Sequence, residues 1–414
     1  MDRRTFNTTL AGAAATSMLG CATDRGTGGG GRTVLYNSIG EKLTQYDVDV
    51  EAASLTPRAS ISLPSPVQYA WLHPSHRYMY ACTSDRQKIH RLCAVRMGAD
   101  GALALHGEPQ VLATRPINNS VDASGSYALT CYSEPANLTV HRINDDGTLG
   151  SQLAQSAELD LGIFPHQIRT TPTNRSVVMV TRGNSATAKK PEDPGALKLY
   201  RFRDGVLSPL ANLQVGGKGG LGYGPRHLDF HPTQPWVYLS IERQNQLHMH
   251  HRLDDTFAAE PSYVKRTTLH DYGSDIPQLA SAIHIHPRGH VVYVSNRARG
   301  TVEFNGQQVS NGGENTIAVF SINPTTGEPT LIQTADGHGF YLRTFGIDPS
   351  GRLLVGASGV DMLVREGNTV RRVSGALHVF RIAADGRLSF VRRYDLELGE
   401  GVEQQWVAMM ALPS

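Results

Sequence analysis

One phrase recurs along this chain: an apolar strand, a tight turn built on His-Pro, Asp-Pro or a polar equivalent, and a second apolar strand. In order the copies read YAWLHPSHRYMYACT, NNSVDASGSYALTCY, HQIRTTPTNRSVVMVT, RHLDFHPTQPWVYLSI, AIHIHPRGHVVYVSN and RTFGIDPSGRLLVGA. Their turns centre on Pro74, Ala123, Pro172, Pro232, Pro287 and Pro349. A spacing of about 50 to 60 residues is that of blade-like repeats. Each copy reads as a hairpin joined by a Pro/Gly turn. A third strand follows (NLTVHRI, ALKLYRF, NTIAVFSI, GALHVFRI), then a turn at Asp146-Gly147, Asp204-Gly205, Thr326-Gly327 or Asp385-Gly386, and a weaker fourth strand. Four antiparallel strands per unit make a propeller blade.

Six units are explicit and the seventh is split between the ends of the chain. Gln405 to Met410 reads as an inner strand, and Thr33 to Val48 as two further strands. Joining both ends in one blade closes the ring and removes two exposed sheet edges. The expected fold class is therefore all-β, a seven-bladed β-propeller over residues 32–414 closed by pairing of the N- and C-terminal strands. A pair of β-sandwiches or an open solenoid are the rival architectures. Three longer segments, 183–196, 299–315 and 358–376, each fall between the second and third strands of a blade. They are expected to emerge on one face and wall a central mouth.

A length of 414 residues would ordinarily suggest two or three domains, but repeats are the exception. The 42 Gly and 22 Pro against 18% charged residues suit short strands and tight turns. A net charge of +2 gives no electrostatic case for nucleic acid. The N-terminus reads as a targeting segment over residues 1–21. Arg3-Arg4 precedes an apolar residue, and a mildly apolar stretch runs from Thr8 to Gly20, the order of a twin-arginine signal. Met18-Leu19-Gly20-Cys21 resembles a lipoprotein cleavage box with Cys21 as the lipidated residue and membrane tether, although Leu19 is large for its place. Ordinary signal-peptidase cleavage is the alternative. Residues 22–31 read as a flexible linker, and the expected location is the periplasm or cell envelope. Cys82, Cys93 and Cys131 read as buried small hydrophobes, with a Cys82–Cys131 bridge as the alternative in an oxidising compartment.

Polar residues at the starts of first strands and the ends of second strands can meet around a propeller axis. Blade three opens with Gly162-Ile163-Phe164-Pro165-His166. Blade four opens with Gly224-Pro225-Arg226-His227, and its second strand ends in Ile241-Glu242. Blade five carries His284 and Ser295-Asn296-Arg297, and blade six Leu342-Arg343. The phrases GYGPRHLDFHPTQPWVYLSIER, SAIHIHPRGHVVYVSNR and RTFGIDPSGRLL resemble the propeller-type 6-phosphogluconolactonases and the carboxymuconate-lactonising cyclases related to them. The resemblance spans about residues 32–414 and is strongest from blade three to blade six. It implies a site at His166, Arg226, Glu242 and Arg297. Gln167, the extra residues before Trp406 and the long inserted segments depart from the family pattern and leave the substrate open.

The residue chemistry agrees with that implication. Paired guanidiniums suit an anionic substrate and the oxyanion of a lactone under attack. Glu242 or His166 can serve as base toward water, and an arginine-rich mouth keeps Glu242 ionised and His166 neutral. Glu242, His166 and Arg297 are the expected catalytic residues, and Arg226, His227, His284 and Arg343 the expected substrate-binding ones. The bland readings stand beside these: an Arg226–Glu242 salt bridge that stiffens the channel, a satisfied channel histidine at His166, and pairing of Arg297 with Asp271 or Asp275. His248 and His250 share a strand face, but a solvated blade face accounts for them better than a metal. No metal or cofactor is implied, and a monomer is expected. The functions in view are hydrolysis of a small anionic lactone by an exported enzyme, lactonisation of a muconate-like dicarboxylate, and ligand or protein binding by a non-catalytic envelope propeller. An export signal argues against a role in the cytosolic pentose phosphate route.

Overall fold

The computed structural model describes residues 32–413 apart from 274 and 275. The targeting segment, Cys21 and the linker lie outside the described residues, as does Asp275. Seven antiparallel sheets follow one another around the ring. In each, the successive strands run outward from the axis. The innermost strands are Val67–Leu72, Pro116–Val121, Pro165–Thr170, Pro225–Phe230, Gln278–Ile285, Leu342–Ile347 and Gln404–Ala411, in blades one to seven. Blade seven is the split one. Its inner strand, from the C-terminus, pairs with Thr33–Ile39, in register from Thr33 opposite Ala411 to Ser38 opposite Trp406, with a one-residue shift before Ile39 opposite Gln404. This is the closure expected from the sequence.

The burial pattern explains why second strands read as unbroken apolar runs. Both faces of such a strand pack on neighbouring blades, so Ser176–Thr181 and Trp236–Ile241 are buried at every position. Outer strands such as Leu388–Asp395 reach solvent and are largely exposed. The apolar core is accordingly a set of layers between blades. One layer joins Val178, Val180, Leu197 and Leu199 of blade three to Leu228, Phe230, Val237 and Leu239 of blade four. His248 and His250 are interior as well. Both are 1% exposed, with His248 Nε2 against Gln246 Oε1 and His250 Nδ1 against the Ala258 carbonyl. The solvated face expected for them is therefore corrected to an interior one. Cys82, Cys93 and Cys131 are buried free thiols, so the alternative bridge is not formed.

Two kinds of polar clasp repeat between blades. The hydroxyls of Tyr36, Tyr80, Tyr238 and Tyr293 donate to the carbonyls of Gly101, Gly147, Gly327 and Gly386 at 2.7–2.9 Å, each glycine lying in an outer turn of the next blade. His73, His231 and His286, the histidines of the His-Pro turns, reach the carbonyls of Gly125, Gly289 and Gly351 at 2.8–2.9 Å. Nδ1 of His231 accepts the Gln234 amide and Nδ1 of His286 the Arg288 amide, which fixes a neutral ring donating through Nε2. The approach demands glycine: a Cβ on Gly125, whose φ is +77°, would lie 2.3 Å from His73 Nε2.

The three inserted segments depart from the expected wall. Two of them fold as hairpins, Thr301–Phe304 with Gln307–Ser310 and Met362–Glu366 with Thr369–Val373. These lean on each other, with the Arg365 guanidinium 4.2 Å from the Phe304 ring centre. Of all three segments, only Arg299 contributes to the lining of the central cavity described below. A self-paired hairpin satisfies its own backbone and packs on its neighbour instead of folding over the mouth.

Replacing Tyr80 with Phe leaves the buried Gly147 carbonyl unpaired and should lower unfolding free energy by about 1–3 kcal/mol in urea titrations. Burial also depresses the imidazole pKa of His141 to about 4, of His248 and His378 to about 3, and lowers those of His231 and His286. Below about pH 6.5 the unfolded chain therefore binds protons that the folded chain refuses. Stability should fall as pH drops through that range. Urea midpoints at pH 7.5 and 5.5 check the sign.

Candidate active site

Each of the seven inner strands carries a β-bulge near its start. The pairing skips Gln68, Ile117, His166, Arg226, Arg343 and Gln405 in six blades, and Ser281 with Ala282 opposite Ser295 in blade five. An unpaired bulge residue is re-aimed out of the sheet, so these positions form a ring around the axis. Pro165 and Pro225 precede His166 and Arg226, where proline fixes φ. Just before them Phe164 and Gly224 adopt φ of +55° and +60°, and Tyr341 before Leu342-Arg343 adopts +60°. A second ring comes from the residues that end or follow the second strands. In blades three, four and five its members are Arg182, Glu242 and Arg297, which occupy equivalent places in the ladder.

The two rings meet around Glu242, which is 2% exposed. Its Oε1 accepts from Arg297 Nη2 at 3.2 Å and from Arg182 Nη1 at 3.4 Å. Arg226 approaches Oε2 from the first ring, with Nε 3.5 Å away. Burial pushes the Glu242 carboxyl up, but Arg297, Arg226, Arg182 and Arg343 together outweigh it and hold the group below its ordinary value. His166 lies in the first ring with its imidazole 5.1 Å from that of His227, centre to centre. Burial, then Arg226, His227 and two further arginines, press the His166 pKa far down, so the ring is neutral. Glu242 Oε2, Arg226 Nε, Arg297 Nε and Nη1, and His166 Nδ1 are buried with no hydrogen-bond partner in the protein. Each such atom costs about 1–3 kcal/mol, and their gathering in one place is the pattern of a functional site.

A cavity of ≈ 580 Å³ opens above them. Among the described residues its lining includes six arginines, Arg86, Arg115, Arg182, Arg297, Arg299 and Arg343, against two carboxylates, Glu134 and Glu242. The positive excess favours an anion. Below it the axis narrows to a constriction of ≈ 20 Å³ lined by Tyr69, His166, Arg226, His227, His284 and Arg343. The far side opens into a mainly apolar recess that includes Trp71, His284, Phe345 and Trp406.

His166, Glu242, Arg297 and Arg343 thus share the upper cavity. Arg226 and His227 sit one layer deeper: Arg226 is 1% exposed, and its Nη1 lies 3.2 Å from His227 Nδ1. His284 faces the constriction and the far recess, not the upper cavity. The pairing of Arg297 with Asp271 is replaced by its pairing with Glu242, and Asp271 meets Arg266 at 3.8 Å. The sequence reading missed Arg182, although it follows VMVT as Glu242 follows YLSI. It also missed Arg115, Arg299 and Tyr341, which lie in irregular or bulged segments with no repeat phrase to mark them.

Comparison with known proteins follows the same outline. A family described as "Lactonase, 7-bladed beta-propeller" matches residues 20–364. A 6-phosphogluconolactonase of Bacillus subtilis is 25% identical over 322 residues, covering 77% of this chain and 84% of the relative. One from Serratia proteamaculans is 25% identical over 368 residues, covering 87% of this chain and 93% of the relative. A solved structure from Lactobacillus plantarum superposes with a TM-score of 0.69 at 20% identity, covering 92% of this chain and 99% of that one. A structure described as a periplasmic gluconolactonase of Pseudomonas aeruginosa gives 0.66 at 17%, covering 92% and 100%. At such identity the two structures speak for the fold. Together with the matched family they establish that the chain belongs to the seven-bladed β-propeller lactonases.

Proposed function

We propose that this chain is an exported lactonase that hydrolyses a small anionic lactone, 6-phosphogluconolactone-like in charge and size, in the central cavity. The observation that carries the reading is the cavity lining: a buried carboxylate among guanidiniums, with Arg343 facing the same space and Arg299 and Arg115 beside it on Glu403 and Gln68. The substrate's phosphate or carboxylate pairs with Arg343, and with Arg299 and Arg115 in exchange for their contacts with Glu403 and Gln68. Arg297 faces the lactone carbonyl and stabilises the oxyanion that forms under attack. The Glu242 carboxylate accepts a hydrogen bond from the attacking water and orients it. Neutral His166 hydrogen-bonds the ring oxygen as it leaves. Arg226 acts from below, holding Glu242 ionised. The curated relatives named as 6-phosphogluconolactonases support the reaction class, and the structural relative described as periplasmic supports an extracytoplasmic setting.

Replacing Glu242 with Gln keeps the shape and removes the charge. Lactonase turnover in a pH-stat assay over a panel of sugar and aromatic lactones should fall by about two orders of magnitude or more. Unchanged turnover overturns the role of Glu242. Acid release marks a lactonase, loss of muconate absorbance marks a cyclase, and neither marks a binding protein.

The export reading rests on Arg3-Arg4 and Cys21. In cell fractionation, Arg3→Lys with Arg4→Lys should leave the protein in the cytoplasm, and Cys21→Ala should move it from the membrane to the soluble envelope fraction. Unaltered fractionation of both variants contradicts it.

A further inference from the structure

Hydrolysis of a lactone needs a group that takes a proton from water near neutral pH. The guanidiniums that make this cavity fit for an anion also weaken its two evident bases. Glu242 is held ionised by Arg297, Arg226 and Arg182, and the proton affinity of His166 is suppressed by burial and the same cluster. A base works best when its pKa lies near the working pH. Neither group meets that condition.

Tyr341 lines the same cavity and is 8% exposed. The Arg297 guanidinium, which also binds Glu242, lies 5.0 Å from its ring centre, and that of Arg299 lies 4.6 Å away. Its backbone is fixed in a left-handed conformation uncommon for a bulky residue, with φ of +60°. The Tyr341 amide donates to Asn315 Oδ1 at 2.7 Å, and its carbonyl accepts the Gly359 amide at 3.2 Å. Blade three supplies an internal comparison. Phe164 stands at the corresponding place before its bulge, with φ of +55° and the Arg182 guanidinium 4.0 Å from its ring centre. The turn and the stacked guanidinium therefore need an aromatic ring but no hydroxyl. Tyr36, Tyr80, Tyr238 and Tyr293 spend their hydroxyls on glycine carbonyls of the next blade. Among the described residues no protein hydrogen bond holds the hydroxyl of Tyr341.

We propose that Tyr341 is a catalytic residue: as phenolate it takes the proton from the attacking water, and as phenol it returns that proton to the leaving ring oxygen. The inference rests on the lactonase reading. Water loses a proton to the phenolate, and the hydroxide bonds to the carbonyl carbon. Collapse of the tetrahedral oxyanion breaks the ring C–O bond, and the departing alkoxide takes the proton from the phenol. The new carboxylic acid releases its proton to solvent, so the net change is lactone plus water to hydroxy acid.

The electrostatics agree with the geometry. Burial raises the phenol pKa, but Arg297, Arg343 and Arg299 outweigh burial and the opposing Glu403, bringing it down to about 8. Arg226 also senses its charge. Among the described residues Tyr341 is the one tyrosine whose pKa moves down. Since the phenolate is the active form, the rate should rise with pH through that value and then level off.

The test compares the full chain with Tyr341→Phe on a lactone that the wild type turns over, after subtracting spontaneous hydrolysis. The variant should lose about 10²- to 10⁴-fold in kcat, keep KM within a few-fold, melt at the wild-type temperature and lose the rise near pH 8. Equal turnover with an unchanged pH profile overturns the proposal and leaves the lactonase reading standing. A wild type inactive on every lactone overturns that reading, and the proposal with it. Ultraviolet titration of the wild type gives an answer that does not depend on the variant folding. A phenolate appearing near pH 8 is expected, and none appearing until about pH 10, the ordinary tyrosine value, also overturns the assignment.

Discussion

A carboxylate shut away from water among guanidiniums from three successive blades sets the terms for the rest of this molecule. Removing such an ion from water costs several kcal/mol, recovered only where opposite charge is close and well aimed. Arg297 and Arg182 contact one oxygen of Glu242, and Arg226 faces the other. The dependence is mutual, because guanidiniums this crowded repel one another without the carboxylate between them. Arg182, Glu242 and Arg297 lie 60 and 55 residues apart in sequence, so only a closed ring of rigid blades brings them to one point.

That rigidity has identifiable sources. Apolar layers between blades supply the bulk of the adhesion, but they are non-directional and would tolerate a sliding blade. The tyrosine and histidine clasps are directional. Each ties a fixed side chain to one carbonyl of the next blade, and the glycine at the receiving turn admits no side chain there. Pairing of Gln404–Ala411 with Thr33–Ile39 completes the circle. The bulges then exploit a stable frame. An extra residue at the start of each inner strand projects a side chain toward the axis, and its identity differs from blade to blade. The same device yields a catalytic candidate in His166, a buried counter-ion in Arg226, a cavity arginine in Arg343 and an inert Ile117.

Much of this could be read from the residues in order, and the failures have physical reasons. The hairpin repeat was legible because a strand buried on both faces needs an unbroken apolar run, and its turn needs Pro or Gly. His166, Glu242, Arg297 and Arg343 could be placed near the mouth because they stand at the ends of recognisable strands. Arg182 stands at such an end too, but it opens a long insertion, and its equivalence to Glu242 emerges only from the pairing register. Depth along the axis was not legible. Arg226, His227 and His284 follow similar phrases but sit at successive levels, because one step along a strand moves a side chain from the cavity to the constriction. The His-Pro turns carried a role beyond turning, since the partner of each histidine lies in another blade. The long insertions looked like a wall because sequence gives their place in the repeat but not their direction.

The central claim is that an anionic lactone seats in the upper cavity with its reacting carbonyl beside Glu242 and Arg297. A crystal structure with a non-hydrolysable lactam analogue of an anionic sugar lactone tests this most directly. The account predicts the analogue's anionic group against Arg115, Arg299 or Arg343 and its carbonyl oxygen within hydrogen-bond reach of Arg297. An analogue bound instead in the apolar recess on the far side of the ring, or left outside a cavity whose arginines keep their present contacts, contradicts it.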